Sequence, residues 1–283
     1  MLGLPDPTSH YSVADWVELI TAVEDRPASR SAVARAIEAD TGNAVEESFV
    51  SDVWNDLRSR CNLYHPARFA IDDAIVTPVN NPESRAAYLT CLLLSLYGAH
   101  ETTPTKLFER LTCQAVRKLL PARAVVFGWP FTKKRGMKPS GETVLGTFIR
   151  AVARDANERF VEQPSSRFKD RGVDVIGWVP FQEGRSSQVV ILLQCAAGHN
   201  WAAKLCVPLE AWRQYVHWAC SPLIGFAVPC VIADSIWHDQ AVEKGILLDR
   251  PRIVNSVSDG VSDRDLAAAL SGWVNRELKK SDE

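Results

Sequence analysis

The sequence predicts an α/β protein: a mixed central sheet flanked by helices, preceded by a small helical domain. Three observations lead there. From residue 83 onward, apolar runs of strand length alternate with segments of helical period, the pattern of a sheet covered on both faces. Before residue 80, three amphipathic helical patterns follow one another and end in two short β-prone runs. Between the two parts lies Asn80-Asn81-Pro82, a linker composition. The expected division is therefore residues 1–80 and 81–283.

Each element has its own signal. Ser12 can cap a first helix carrying Val13, Trp16, Val17, Leu19, Ile20 and Val23, which breaks at Asp25-Arg26-Pro27. SRSAVARAIEADTG is a second helix with Val33, Ala34 and Ile37 on one face and Gly42 as its stop. A third covers 46–62, with Phe49, Val50, Val53, Trp54 and Leu57 at helical spacing. RFAIDDAIVTPV supplies two strands around Asp72-Asp73. Then come an almost wholly apolar helix over 84–99, a helix over 105–120 and the strand AVVFGW. The basic loop TKKRGMKPSG leads to a helix over 142–162. Two strands follow around the turn PFQEGRSS. The helix PLEAWRQYVHWA, strand LIGFAVPCVIA, helix SIWHDQAVEKG and strand ILLDRPRIV come next. A helix over 263–280, capped by Ser262 or Asp263, closes the chain.

Composition limits the function classes. With 283 residues, 46% hydrophobic and 23% charged, the chain can bury a core without staples. A net charge of −2 excludes a globally basic nucleic-acid coat. The seven cysteines form no CxxC pair and sit mostly in apolar runs, which favours a reducing cytoplasm over a disulfide framework. The start, MLGLPDPTSHYS, does not read as a signal peptide. The most apolar segment, 86–98, is too short to span a bilayer, so no membrane association is expected.

Helix–helix–helix–hairpin is the order of a winged helix-turn-helix, whose third helix reads the DNA groove. Here that helix offers Glu46, Glu47, Asp52, Asn55, Asp56, Arg58 and Arg60 as its exposed set. Phosphate binding needs cations, so this acidic face favours a protein partner or a structural role over DNA.

The chemistry is concentrated in KDRGVDVIGWVPFQEGRSSQVVILLQCAAGHNWAAK, residues 169–204. Asp174 lies inside an apolar run, where an acid is costly unless paired or bound to a metal. Gln194 ends the next run. If the two runs pair antiparallel, both reach one edge of the sheet and supply hard oxygens of the kind Mg²⁺ takes. Lys204 follows and could orient or deprotonate an attacking water. Bland alternatives stand beside each: Asp174 paired with Arg171 or Lys169, and Gln194 bonded to loop backbone. Glu109 could face solvent beside Lys106 or Arg110.

These residues carry a resemblance. The order helix–strand–insert–strand–strand–helix–strand over residues 105–254, with GVDV on one strand and Gln194 near the end of the next, resembles the PD-(D/E)xK restriction-endonuclease-like superfamily. It is similar to the branch with Gln in place of the second acid. Phe108-Glu109 matches the Phe-Glu pair of that branch's first core helix. The resemblance implies a restriction-endonuclease-like core and Mg²⁺ (or Mn²⁺) on Glu109, Asp174 and Gln194. It also implies a nuclease acting on DNA, in a setting such as bacterial antiviral defence. The departure is Ala196, where the pattern has lysine. Lys204 is the first substitute and Lys169 the second. An inactive nuclease-fold subunit, binding nucleic acid or protein, is the alternative.

Charge distribution adds a clue. Residues 110–141 hold Arg110, Arg117, Lys118, Arg123, Lys133, Lys134, Arg135 and Lys138 and no acid. Lys133, Lys134 and Arg135, with Lys169, are the expected nucleic-acid contacts, although a solvated basic loop looks the same.

Overall fold

A computed structural model describes residues 3–99, 101–120, 123–127, 144–165 and 170–280. The N-terminal segment runs α1 (His10–Glu24), β1 (Ala28–Ser29), α2 (Arg30–Thr41), α3 (Glu47–Cys61), β2 (Phe69–Ile71) and β3 (Ile75–Pro78). The rest begins with α4 (Arg85–Tyr97), α5 (Thr102–Leu119), β4 (Arg123–Val126), α6 (Val144–Asp155), β5 (Arg159–Phe160) and β6 (Val175–Val179). It continues through β7 (Val189–Cys195), α7 (Leu209–Arg213), β8 (Val216–His217), β9 (Leu223–Ala227) and α8 (Asp234–Lys244). The last elements are β10 (Ile246–Leu248), α9 (Arg250–Ser256) and α10 (Arg264–Lys280).

Local chemistry sets the N-terminal boundaries. Ser29 Oγ accepts the Ala32 N–H (3.1 Å) to start α2, and Gly42, at φ +70°, closes it with an N–H to Glu38 O (2.8 Å). The Ser9 hydroxyl, three residues before the expected cap, starts α1 by accepting from Ser12 N–H. In the β2–β3 turn, Asp72 Oδ1 accepts the N–H groups of Ala74 and Ile75 (2.8 and 2.7 Å), which explains the acid between two apolar runs. The two-residue β1, too short to show a period, completes a three-stranded antiparallel sheet in the order β1-β3-β2.

The central sheet is mixed, in the order β10-β9-β7-β6-β4. β6 runs antiparallel to both its neighbours, β4 and β7, while β9 runs parallel to β7 and β10 parallel to β9. Helix α5, strand β4, an insert, β6, β7, a helix and β9 follow in the order that the sequence predicts. One face packs Val175, Ile191 and Leu193 against Leu111 and Val116 of α5, in a cluster that continues to Val17, Trp54, Leu92 and Leu270. The N-terminal helices and the sheet therefore share buried surface. The other face packs Ile176, Trp178, Val190 and Leu192 against Ile149, Val152 and Trp212. Among the described residues no helix is long and apolar enough to cross a membrane.

Four expectations are corrected. The helix expected over 142–162 ends at Asp155, because Asn157 takes the left-handed region (φ 55°) and Arg159–Phe160 pairs with Val216–His217. That pairing also cuts the helix expected from Pro208 to Ala219 down to α7. The run ILLDRPRIV is a strand only to Leu248: Asp249 then caps α9 through the Arg252 N–H, with Pro251 in the first turn. Lastly, Arg60 is not on an exposed face of α3. It is 2% exposed and ion-paired with Asp15, Glu18 and Asp56.

Candidate active site

Helix α5 sits close to the sheet at one point. A Cβ on Gly177 of β6 would lie 2.8 Å from Val116 Cγ1, so glycine lets the helix descend. Glu109 is seven residues before Val116, on the same helical face and roughly 10 Å along the axis. Asp174 is three residues before Gly177, a similar distance of about 10 Å along the strand. Helix and strand thus deliver Glu109 and Asp174 to one place, and the Asp174 charge is felt at Glu109.

The β6–β7 register, Val175 opposite Leu193, brings Asp174 to the end of β7. Its N–H donates to Leu193 O (2.8 Å), its carbonyl accepts from Phe127 N–H (2.6 Å), and its Oδ2 accepts the Cys195 N–H (2.8 Å). Neighbouring Gln194 pairs across to Phe226 on β9, and its buried Oε1 has no hydrogen-bond partner among the described residues. Glu109 is 2% exposed and receives both its hydrogen bonds from Lys106 Nζ (2.9 Å to Oε1, 2.7 Å to Oε2). So Lys106 is its partner, as one bland alternative held, but inside the protein rather than in solvent.

Burial, then the Asp174 charge, pushes the Glu109 carboxyl up to about 7 against the pull of Lys106. Burial likewise raises Asp174 to about 6, helped by the charge of Asp170. The Cys195 N–H, Lys106 and Lys204 oppose that rise. Two neighbouring acids held above their ordinary values form a site where burial outweighs the positive charge at hand. Because both folded values are raised, this stabilisation is full below the unfolded values near 4 and is lost as pH rises through 6–7. Metal-free protein should lose on the order of 2–3 kcal/mol relative to Glu109→Gln between pH 4.5 and 7.5. Parallel thermal unfolding curves of the two proteins measure this, and identical pH dependence would refute it.

The position where the resemblance expects lysine is closed. Ala196 is 1% exposed and packs with Phe226, Val228 and Ile232. Lys204 is half-buried after the turn Trp201–Ala203, and its charge reaches Asp174. Among the described residues its amine makes no hydrogen bond or ion pair. Buried Lys244 holds that turn: its Nζ donates to Ala202 O (3.0 Å) and Lys204 O (2.9 Å) and lies 5.2 Å from the Phe226 ring centroid. Lys106 as the bidentate partner of Glu109, Asp170 as a contributing charge and Lys244 as the loop anchor were not foreseen as parts of a site. Only the three-residue spacing of Lys106 and Glu109 on one helix signals any of them.

The expected nucleic-acid contacts Lys133, Lys134, Arg135 and Lys169 lie outside the described residues. Among the described residues no three His, Cys, Asp or Glu side chains group as a metal site. A cavity of about 400 Å³ lies elsewhere, between α1, α4 and the segments after β7 and β9. Glu109, Asp174 and Gln194 do not line it.

No family model matches the sequence, and no curated protein matches it. Among solved structures the chain is similar to the MspJI restriction endonuclease in complex with a 27-mer oligonucleotide, at 17% identity and a TM-score of 0.28. The match covers 87% of this chain and 46% of that one, so the chain spans about half the length of that enzyme.

Proposed function

We propose that this chain is a divalent-cation-dependent nuclease of the Gln-containing PD-(D/E)xK type, hydrolysing phosphodiester bonds of DNA. The observation that supports this best is a pair of buried carboxylates, Glu109 and Asp174, both held above their ordinary values with the charge of Asp174 felt at Glu109, next to a strand whose Gln194 oxygen has no partner among the described residues. Three hard oxygen donors of this kind fit Mg²⁺ or Mn²⁺ held by Glu109, Asp174 and Gln194. Such a cation supplies charge neutralisation at the scissile phosphate and acidifies water.

The chain's own groups do the rest. The Cys195 N–H fixes the Asp174 carboxylate at the end of the strand. Lys106 donates to both Glu109 oxygens and so opposes the burial that raises this carboxyl. Lys204 Nζ orients the attacking water and offsets charge on the phosphate, the role that buried Ala196 cannot take. Lys244 holds the turn that carries Lys204.

Incubation with plasmid, linear DNA and RNA in Mg²⁺, Mn²⁺ or EDTA tests the reading. DNA cleavage with either cation and none in EDTA is expected. Lys204→Met should lower the cleavage rate about 10²-fold with cation affinity unchanged. Lys106→Met should instead shift the pH–rate profile upward, because Glu109 loses its counter-charge. The second reading is a non-catalytic subunit of the same fold, favoured by the burial of Ala196 in an apolar cluster. Absence of both cleavage and calorimetric cation binding would establish that reading over the first.

A further inference from the structure

The buried arginines of this protein are treated unequally. Arg60 and Arg250 are each paired with Asp15 and Glu18. Arg68, just before β2, is 3% exposed, yet its buried Nε, Nη1 and Nη2 have no hydrogen-bond partner among the described residues. Among the described residues its guanidinium has only the Tyr88 ring, with Cζ 5.7 Å from the centroid. Burial lowers its pKa, and the opposing influences are the phenols Tyr88 and Tyr64, with no carboxylate among them. A guanidinium with five donors in a planar fork is costly to bury unpaired.

The group is not sealed in. It lines a cleft of about 20 Å³ together with Asn80, Asn81, Arg85 and Tyr88. That volume takes one oxygen atom, the size of a water or of a single phosphate oxygen. Arg85, half-buried at the start of α4, brings a second guanidinium to the same cleft. The exposed Asp25, at the end of α1, also lines the cleft and makes no ion pair with Arg68. Two cations against one exposed acid leave the cleft net positive.

We propose that Arg68 and Arg85 form an oxyanion site that receives a phosphate group, one oxygen entering the cleft against the Arg68 fork. The planar fork matches phosphate bidentately, and a second arginine suits a group carrying more than one negative charge. The phosphate could be free or terminal, or an internal phosphodiester of a nucleic acid. The cleft lies between the ends of α1 and β3, the start of β2 and the start of α4, is not lined by Glu109 or Asp174, and does not depend on the nuclease reading.

The test is thermal unfolding of the full chain at constant ionic strength, exchanging chloride for inorganic phosphate. Wild-type Tm should rise by about 5 °C once phosphate exceeds its dissociation constant about 100-fold. Arg68→Gln should fold in phosphate-free buffer and lose the rise. Arg85→Gln, at a half-buried position, should need several-fold more phosphate for the same rise. Short oligonucleotides with and without a 5′-phosphate then identify the source. A rise with both marks the internal phosphodiester; a rise with the phosphorylated one alone marks a terminal phosphate. No rise in the wild type, or an equal rise in the variants, overturns the proposal. If Arg68→Gln does not fold, the Arg85→Gln titration decides alone.

Discussion

Asp174→Asn should abolish DNA cleavage, lowering the rate on the order of 10³-fold or more, while leaving the fold intact. The two halves of that expectation rest on different contacts. Asparagine keeps an oxygen able to accept the Cys195 N–H, so the junction of β6 and β7 survives. It also removes a carboxylate that burial holds at about 6, which relieves the repulsion raising Glu109. Stability at pH 7.5 should therefore equal or exceed that of the wild type. What is lost is one hard anionic donor of the proposed cation site. Cation affinity by calorimetry should fall along with the rate. Asp174→Ala should be as inactive but less stable by about 1–3 kcal/mol, since the buried Cys195 N–H loses its acceptor. Cleavage that persists in both variants would remove Asp174 from the chemistry and the nuclease assignment with it.

The approach of Asp174 to Gln194 was legible because strand register is local: a short turn between two apolar runs leaves few ways to pair them. Glu109 was reachable only through a family pattern, since its place depends on α5 descending at Gly177, a contact that periodicity does not encode. The closure of Ala196 was legible in identity but not in consequence. Only the packing of Phe226, Val228 and Ile232 shows that no lysine fits there. Elements with strong end signals, such as α2 between Ser29 and Gly42, were read nearly to the residue. Those shorter than one period, β1, β5 and β8, left no trace to read. The largest misreading concerned charge. Arg60 was placed on a solvent face because helical spacing fixes a direction but not what stands opposite. Its relative Arg250 is paired with Asp15 across 235 positions of sequence.

That pairing makes Arg250→Met the substitution with the largest expected effect on stability. Arg250 is fully buried and donates to Asp15 Oδ1 (2.7 Å), Glu18 Oε1 (3.0 Å) and the Tyr64 hydroxyl (2.8 Å). Tyr64 and Tyr88 in turn donate to Glu18 Oε2 (3.0 and 2.6 Å), and Ser95 donates to Asp15. One network thus joins α1, α3, α4 and α9, tying the N-terminal segment to an element more than 150 residues away in sequence. Burial alone would raise Asp15, but the Arg250 and Arg60 charges hold it at about 2. Its stabilisation is present above the unfolded value of 3.8 and is lost as pH falls through about 2. Removing Arg250 leaves two buried carboxylates sharing Arg60, a loss of roughly 3–5 kcal/mol. Tm should drop by about 10 °C. Glu18→Gln in the same background should cost less than it does alone, because it removes one of the two uncompensated charges. A double-mutant cycle by denaturant unfolding measures this coupling. Strict additivity, or a Tm change under about 3 °C for Arg250→Met, would show that the network does not bind the two segments together.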